Sequence, residues 1–456
     1  MAMGKRGKQQ RQETLWVATA DIVETPGHAF YAKLEQLLVA HRFDQHVEHL
    51  CRRFYTGPLG QPSLPPGVYF RCLLIGYFEG IDSERGIAWR VADSLSLRKF
   101  LGYGVDERTP DHSTISRTRR LLWSSTHQAV FRWVLTRLKE DGLLTGKTIG
   151  IDATTLEANA AMRSIVRRDT GATYEAYLTT LVQAAGIAQP TREDLARFDR
   201  KRKKKGSNKD WVSPADPDAR ITRMKDGRTH LAHKAEHAVD LSSGALLAIT
   251  LQAADLGDTT TVFETLSVAD DNATAVDLGT IDEAVLDKGY HSGAVLVALS
   301  EVLVRSYIPE PKRKRRRWKG PGKAEEQRQV YANRRRVRGP RNKGLQAKRA
   351  ELNERSNAHL YETGGMRRVH LRGSENILKR LVIQGAGFNL GLIMRARYGI
   401  GTPRGHQGLS VSLLPLRRFA TLLLGGLFGA TQRLLLRFQS TRPLLRQVPC
   451  GPLAAQ

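Results

Sequence analysis

Apolar residues in the first third of the chain fall at helical spacing. Phe30, Leu34, Leu37 and Leu38 recur three and four residues apart, which predicts an amphipathic helix. The Pro- and Gly-rich residues 57–66 force a loop. Residues 68–78 then read as an apolar helix, 84–93 as another and 96–100 as a shorter piece. Thr109-Pro110-Asp111-His112-Ser113-Thr114 carries capping residues ahead of a helix holding Ile115, Leu121, Leu122 and Phe131. At Thr148 the period changes. Thr148-Ile149-Gly150-Ile151-Asp152 is a β-branched and apolar run that predicts a buried strand.

The remainder alternates between strand and helix patterns. Residues 160–198 read as a polar, helical insertion ending in the basic run 200–205. Residues 230–239 and 245–251 are strand-like and flank a hairpin loop, Asp240-Leu241-Ser242-Ser243-Gly244. A helix is expected at 259–269, a strand at 283–287, a helix ending at Leu299 and a strand at 302–308. Residues 346–361 and 374–398 read as further helices, the first stopped by Gly364-Gly365. This order predicts an α/β layer arrangement with a mixed sheet, preceded by an all-α block. The division expected is a disordered basic N-terminus at 1–27, a helical domain at 28–145 and an α/β domain at 146–398. The α/β domain includes an insertion at 160–220 and a basic loop at 311–345. Residues 399–456 form a tail without an assigned role.

Charge narrows the partners. The 456 residues contain 72 Lys and Arg against 45 Asp and Glu, a formal charge of +27. Such a surface attracts polyanions, nucleic acid foremost. Residues 312–349 hold 17 cationic residues against Glu325 and Glu326, and interleave Trp318 and Tyr331, which suit unstacked bases. Arg85, Arg90, Arg98, Arg117, Arg119 and Arg120 mark the helical block as a DNA-binding, helix-turn-helix type unit or a scaffold with solvated basic faces. No stretch of about 20 apolar residues is read for spanning a bilayer, the nearest being 419–430. The N-terminus lacks the apolar core of a signal peptide. Cys51, Cys72 and Cys450 form no metal or disulfide pattern, which suits a reducing cytoplasm.

An aspartate within an apolar strand is costly unless a cation or metal pairs with it, or unless it caps the following turn. Asp152 is one such residue. Asp287, at the end of a second short strand, is another. Glu354 lies on a later helix, where the neighbouring Glu351 is spaced to pair with Arg355 and so leaves Glu354 unassigned. Three carboxylates brought together would suit Mg²⁺, a hard ion that takes oxygen ligands, and paired ions serve phosphoryl displacement. Asp255 and Asp258 rival Asp287, but their place beside Gly257 suits N-capping. His291, on a turn, is read as structural.

The stretches GIDATTLEANAAMRSIVRRDTG, DPDARITRMKDGRTHLAHKAEHAVDL, VLDKGYHS and LNERSNAHLYETGGMRRVHLRGSENILKRLVIQGAGFNLGLIMR resemble bacterial insertion-sequence transposases of the DDE type. The helical block resembles the N-terminal domain that those enzymes carry. The resemblance implies a ribonuclease-H-like catalytic core with Asp152, Asp287 and Glu354 as the metal-binding acids, Glu351 being the fallback for the third. It implies Mg²⁺, with Mn²⁺ as a substitute. It also implies binding to terminal inverted repeats and target DNA, cleavage, strand transfer, and a dimer assembled on DNA without membrane association. Lys288, Arg349, Arg355 and Arg367 are the candidate phosphate contacts. The alternatives are a DNA-binding relative or repressor without catalysis, and a structure-selective nuclease.

Overall fold

Burial follows the apolar period predicted for the helical block. The computed structural model describes residues 29–55, 63–202, 206–224, 227–312 and 318–404. Helix α1 (Ala29–Ala40) buries Phe30, Leu34, Leu37 and Leu38, and α2 (Phe43–Cys51) follows directly. Helix α3 (Pro66–Glu79) begins on a proline, which needs no N–H partner in a first turn, and is buried on nearly all sides. Helices α4 (Glu84–Ala92), α5 (Leu95–Leu101) and α6 (His112–Leu121) start at Ser83, Ser94 and Asp111. Those side chains accept the N–H groups of Gly86, Leu97 and Thr114. The single helix expected to hold both Ile115 and Phe131 is two. Leu122 is extended and fully buried, so the chain turns there before α7 (Ser124–Glu140).

Strand β1 (Thr148–Glu157) continues well past Asp152. The insertion follows as β2 (Val166–Arg167), α8 (Tyr174–Ala184), α9 (Arg192–Lys201) and β3 (Trp211–Val212), with β2 and β3 paired antiparallel. It carries its own small cores, one around Ile165 and Trp211 and one around Leu178, Val182 and Leu195. Next come β4 (Arg220–Arg223), β5 (Thr229–Asp240), β6 (Leu246–Ala253), α10 (Asp258–Ala275), β7 (Glu283–Val285), α11 (Gly293–Glu301) and β8 (Arg305–Tyr307). The last described helices are α12 (Lys323–Arg338), α13 (Pro340–Asn357) and α14 (Ser374–Tyr398).

The strands form a mixed sheet. β5 pairs antiparallel with β1 along one edge; its other edge is shared by β4 and β6. On the far side of β1, β7 and then β8 add in parallel. A Cβ on Gly150 would meet Arg349 and Asn353 of α13, and one on Gly385 of α14 would meet Ile249 of β6. These two helices therefore cover one face. Lys234 and Glu236 on the opposite face bond to α10. The arrangement is mixed α/β, as expected. One apolar core runs from α1 through the sheet to α14, and the described residues up to Pro403 form one compact unit.

Three expectations change. The basic loop at 311–345 is largely helical: α12 spans much of it, and α13 begins at Pro340. The reason is local, since Asn333 on α12 exchanges hydrogen bonds with both the N–H and C=O of Ile308 at the end of β8. Residues 313–317 lie outside the described set, as do 405–456 of the tail and Cys450. Second, α14 is long and apolar enough to cross a membrane, contrary to the reading that no such stretch exists. Its apolar window is 89% buried inside the protein, however, which marks a core helix. Third, the arginines of the helical block are only partly available. Arg119 is buried against Glu84 and Asn376, Arg90 pairs with Glu79, and Arg98 donates to the carbonyls of Gly104, Val105 and Glu107. Arg85, Arg117 and Arg120 remain exposed.

Candidate active site

Two predicted acids come to the same level of the sheet. The parallel register runs Thr148↔Glu283, Ile149↔Ala284 and Gly150↔Val285. Asp152 and Asp287 each follow the last of these pairs by two residues. β7 stops at Val285 while β1 continues, so Asp152 lies where the sheet opens. β1 is also where the direction of winding reverses, since β5 and β6 lie to one side and β7 and β8 to the other. Crevices at the carboxyl ends of strands, at such a reversal, are the usual ligand sites of α/β sheets.

Asp152 is partly exposed and shares its face of the sheet with α13. An Arg349 guanidinium nitrogen lies 3.9 Å from its Oδ1. The Asn357 amide lies 3.5 Å from Oδ2, at the limit of a hydrogen bond. His237 is its antiparallel partner on β5. That imidazole hydrogen-bonds and stacks with Tyr361, and burial pushes its pKa down to about 3, so it is neutral at physiological pH. Tyr361 belongs to a π-helical turn, Ala358–Thr363, that extends α13. Such turns often mark functional sites.

Asp287 closes the turn after β7. Its Oδ1 accepts the Gly289 N–H at 2.6 Å, and it caps the short turn Lys288–Tyr290. Gly289 has no room for a side chain: a Cβ there would lie 2.8 Å from Asp258 Oδ2 and 2.9 Å from Asp287 Oδ1. Both carboxylates thus crowd one glycine. Asp258 is not the N-cap that the sequence suggested. Gly257 holds that position without a side-chain bond, while Asp258 pairs with the buried Lys234 at 2.6 Å. Asp255 is 3.9 Å from Arg220.

Behind this turn lies a polar network that sequence reasoning missed. Glu236 is fully buried and accepts hydrogen bonds from Tyr290 at 2.7 Å, from Thr261 at 3.0 Å and from Thr265. Burial raises its pKa despite these donors. The Tyr290 hydroxyl is held far above the usual tyrosine range, by burial first, then by Glu236, with Asp258 and Asp152 adding to it. The available signal was charge at alternate positions of a strand, Lys234 and Glu236, both facing α10.

The third acid stands three residues before Asn357, whose amide lies 3.5 Å from Asp152. Glu354 is exposed on α13, while Asn353 and Ser356 occupy the buried side of that helix. Among the described residues, no three His, Cys, Asp or Glu side chains form a group placed to hold a metal ion. Glu351 pairs with Arg355, as its spacing suggested, which commits both. Of the other candidate phosphate contacts, Lys288 is exposed beside Asp287, Arg349 faces Asp152 and Arg367 pairs with Glu362. His291 is buried, consistent with a structural position. Asp152 and Asp287 are hard oxygen donors and fit a divalent cation such as Mg²⁺ in chemistry.

Comparison with known proteins adds one finding. A family model described as "Transposase domain (DUF772)" matches residues 19–121, the stretch that contains α1 to α6. No curated protein and no solved structure matches the chain. The helical block is thus similar to a transposase domain.

Proposed function

We propose that this chain is a DNA transposase of the DDE type, with a ribonuclease-H-like core, that cuts and joins DNA at the ends of an insertion sequence. The observation that carries this reading is the position of Asp152 on β1 and of Asp287 just past the end of its parallel neighbour β7, each two residues beyond the Gly150–Val285 pair. The transposase-domain match in the same chain supports it. Asp152 and Asp287, with Glu354 as third ligand, would hold Mg²⁺ or Mn²⁺. Bound there, the cation stabilises charge on a phosphoryl group undergoing in-line displacement. Arg349 lies 3.9 Å from Asp152 and brings a positive charge to the same site. Lys288 offers charge to phosphates beside Asp287, and Arg355 and Arg367 would do so on release from Glu351 and Glu362, in DNA that two copies of the chain would share. Mutating Asp152→Asn or Asp287→Asn should reduce Mg²⁺-dependent cleavage of DNA bearing the element's ends to background, with end binding intact. Cleavage at the unsubstituted rate in both variants would refute the site. Glu354→Gln tests the third ligand separately.

A second reading is a DNA-binding relative without catalysis. It is favoured by the absence of a three-acid group among the described residues. It predicts that end binding occurs but that the unsubstituted chain never cuts or joins. A structure-selective nuclease would instead cut DNA lacking those ends equally well.

A further inference from the structure

A second charged concavity lies on the helical block. It is a cavity of about 620 Å³ walled by α2, α7 and the end of α10 at Ala275 and Val276. Arg42, Arg132 and Arg137 line it together with His41, His46 and Trp133, and no carboxylate does. Much of this hydrogen-bonding capacity is unused. His46 Nε2 and Arg137 Nε are buried without a partner. Arg132 spends its Nε on Asn272 at 2.8 Å. Arg137 donates to His41 Nδ1 at 3.0 Å and pairs with Glu140 at 2.9 Å.

The neutral forms of His41 and His46 are favoured. Burial lowers both His41 and His46, and Arg137 lowers them further. His41 Nδ1 accepts from the Arg137 guanidinium, which leaves its Nε2 as an N–H donor. The pocket thus offers cations and neutral donors, with Glu140 held against Arg137 and 4.0 Å from His41. Arg42 adds a sign of local strain. It holds φ at 51°, a left-handed conformation that suits glycine or asparagine, at a helix start where its side chain makes no cap. Strain of this kind persists where the surrounding structure over-determines it, as the tight turn from α1 into α2 does here.

We propose that this pocket binds phosphate as a phosphodiester of DNA, at a site separate from the carboxylates. The DNA source rests on the transposase reading; the phosphate chemistry does not. α10 measures the separation. Asp258 is at one end and Ala275 at the other, about 26 Å apart at helical rise. A strand advancing about 3.4 Å per nucleotide covers that distance in seven or eight nucleotides. The pocket therefore grips DNA outside the cut position.

The experiment uses the full chain carrying Asp152→Asn, without divalent metal, so that cleavage plays no part. Binding to a 30-base-pair duplex is measured against salt, with and without Arg42→Gln and Arg132→Gln together. The expected result is a five- to tenfold weaker affinity and a log–log salt slope reduced by about 0.9 for each phosphate no longer neutralised. Arg42→Gly is the second variant. It should fold at least as well, because glycine accepts the left-handed conformation, yet lose affinity. Inorganic phosphate is titrated in parallel by thermal shift. Duplex affinity and slope unchanged, with the phosphate response abolished, would mean a free-anion site and overturn the DNA assignment. Both unchanged would overturn the pocket altogether. Failure of the unsubstituted chain to bind any duplex would overturn this proposal and the transposase reading together, whereas intact binding with unaltered variants sinks only the pocket.

Discussion

His127 shows how a single buried side chain sets a pH dependence. It sits on α7 with no solvent exposure. Its Nδ1 donates to the Trp123 carbonyl at 2.9 Å, so Nε2 accepts from the Tyr69 hydroxyl at 3.0 Å. Burial pushes its pKa down to about 4. The unfolded chain takes up a proton near the ordinary value of 6.5, and the folded chain does so only near 4. Stability is therefore present above 6.5 and is lost as pH falls through that window. The full effect is about 3 kcal/mol at 1.36 kcal/mol per pH unit. Urea melts at pH 7 and pH 5 should show the loss, and His127→Gln should flatten the difference. An equal slope in that variant would place the effect elsewhere, for instance at His237.

Among the elements, α14 joins the helical block to the sheet, and its glycines make the close approach possible. A Cβ on Gly385 would lie 2.3 Å from Ile249 Cδ1, and one on Gly387 would lie 2.6 Å from Tyr77. Asn389 on the same helix satisfies both the N–H and the C=O of Leu246 at the start of β6. Gly385→Ala should cost about 1–3 kcal/mol by overpacking, partly offset by the roughly 1 kcal/mol that alanine gains in helix propensity. Ile249→Val removes the clashing methyl at a cost of about 1 kcal/mol by itself. The double variant should then be less destabilised than the sum, by an interaction measurable in denaturant melts. Strict additivity would show that the two elements do not meet as described.

Over the whole molecule, the charge of +27 is unevenly available. Many arginines are committed internally: Arg71 to Glu35 and Asp44, Arg334 to Glu310, Arg397 to Asp141. Arg335, Arg338, Lys343 and Lys348, on α12 and α13, remain exposed. If these four contact phosphates, neutralising them should lower the slope of log K against log salt by about 3 to 4. A slope unchanged by all four substitutions would remove this pair of helices from the DNA interface.

The sequence alone was enough for the local features, because local features depend on neighbours in the chain. The period of α1 and α14, the Asp111 cap, the β5–β6 hairpin and the Glu351–Arg355 pair are all short-range. Asp152 and Asp287 were legible as charges within apolar runs, where an acid needs a reason. The third acid was not legible in the same way. Which face of α13 meets the sheet depends on tertiary packing, which buries Asn353 and Ser356 and leaves Glu354 exposed. Asp258 was misread because its partner, Lys234, is distant in sequence and near only through α10 packing on β5. The phosphate pocket had no sequence signature either, since α2, α7 and α10 bring its cations together only after the core has formed. Contacts between residues far apart in the chain form only when apolar burial offsets the entropy of closing the loops between them, and that choice belongs to the folded molecule as a whole.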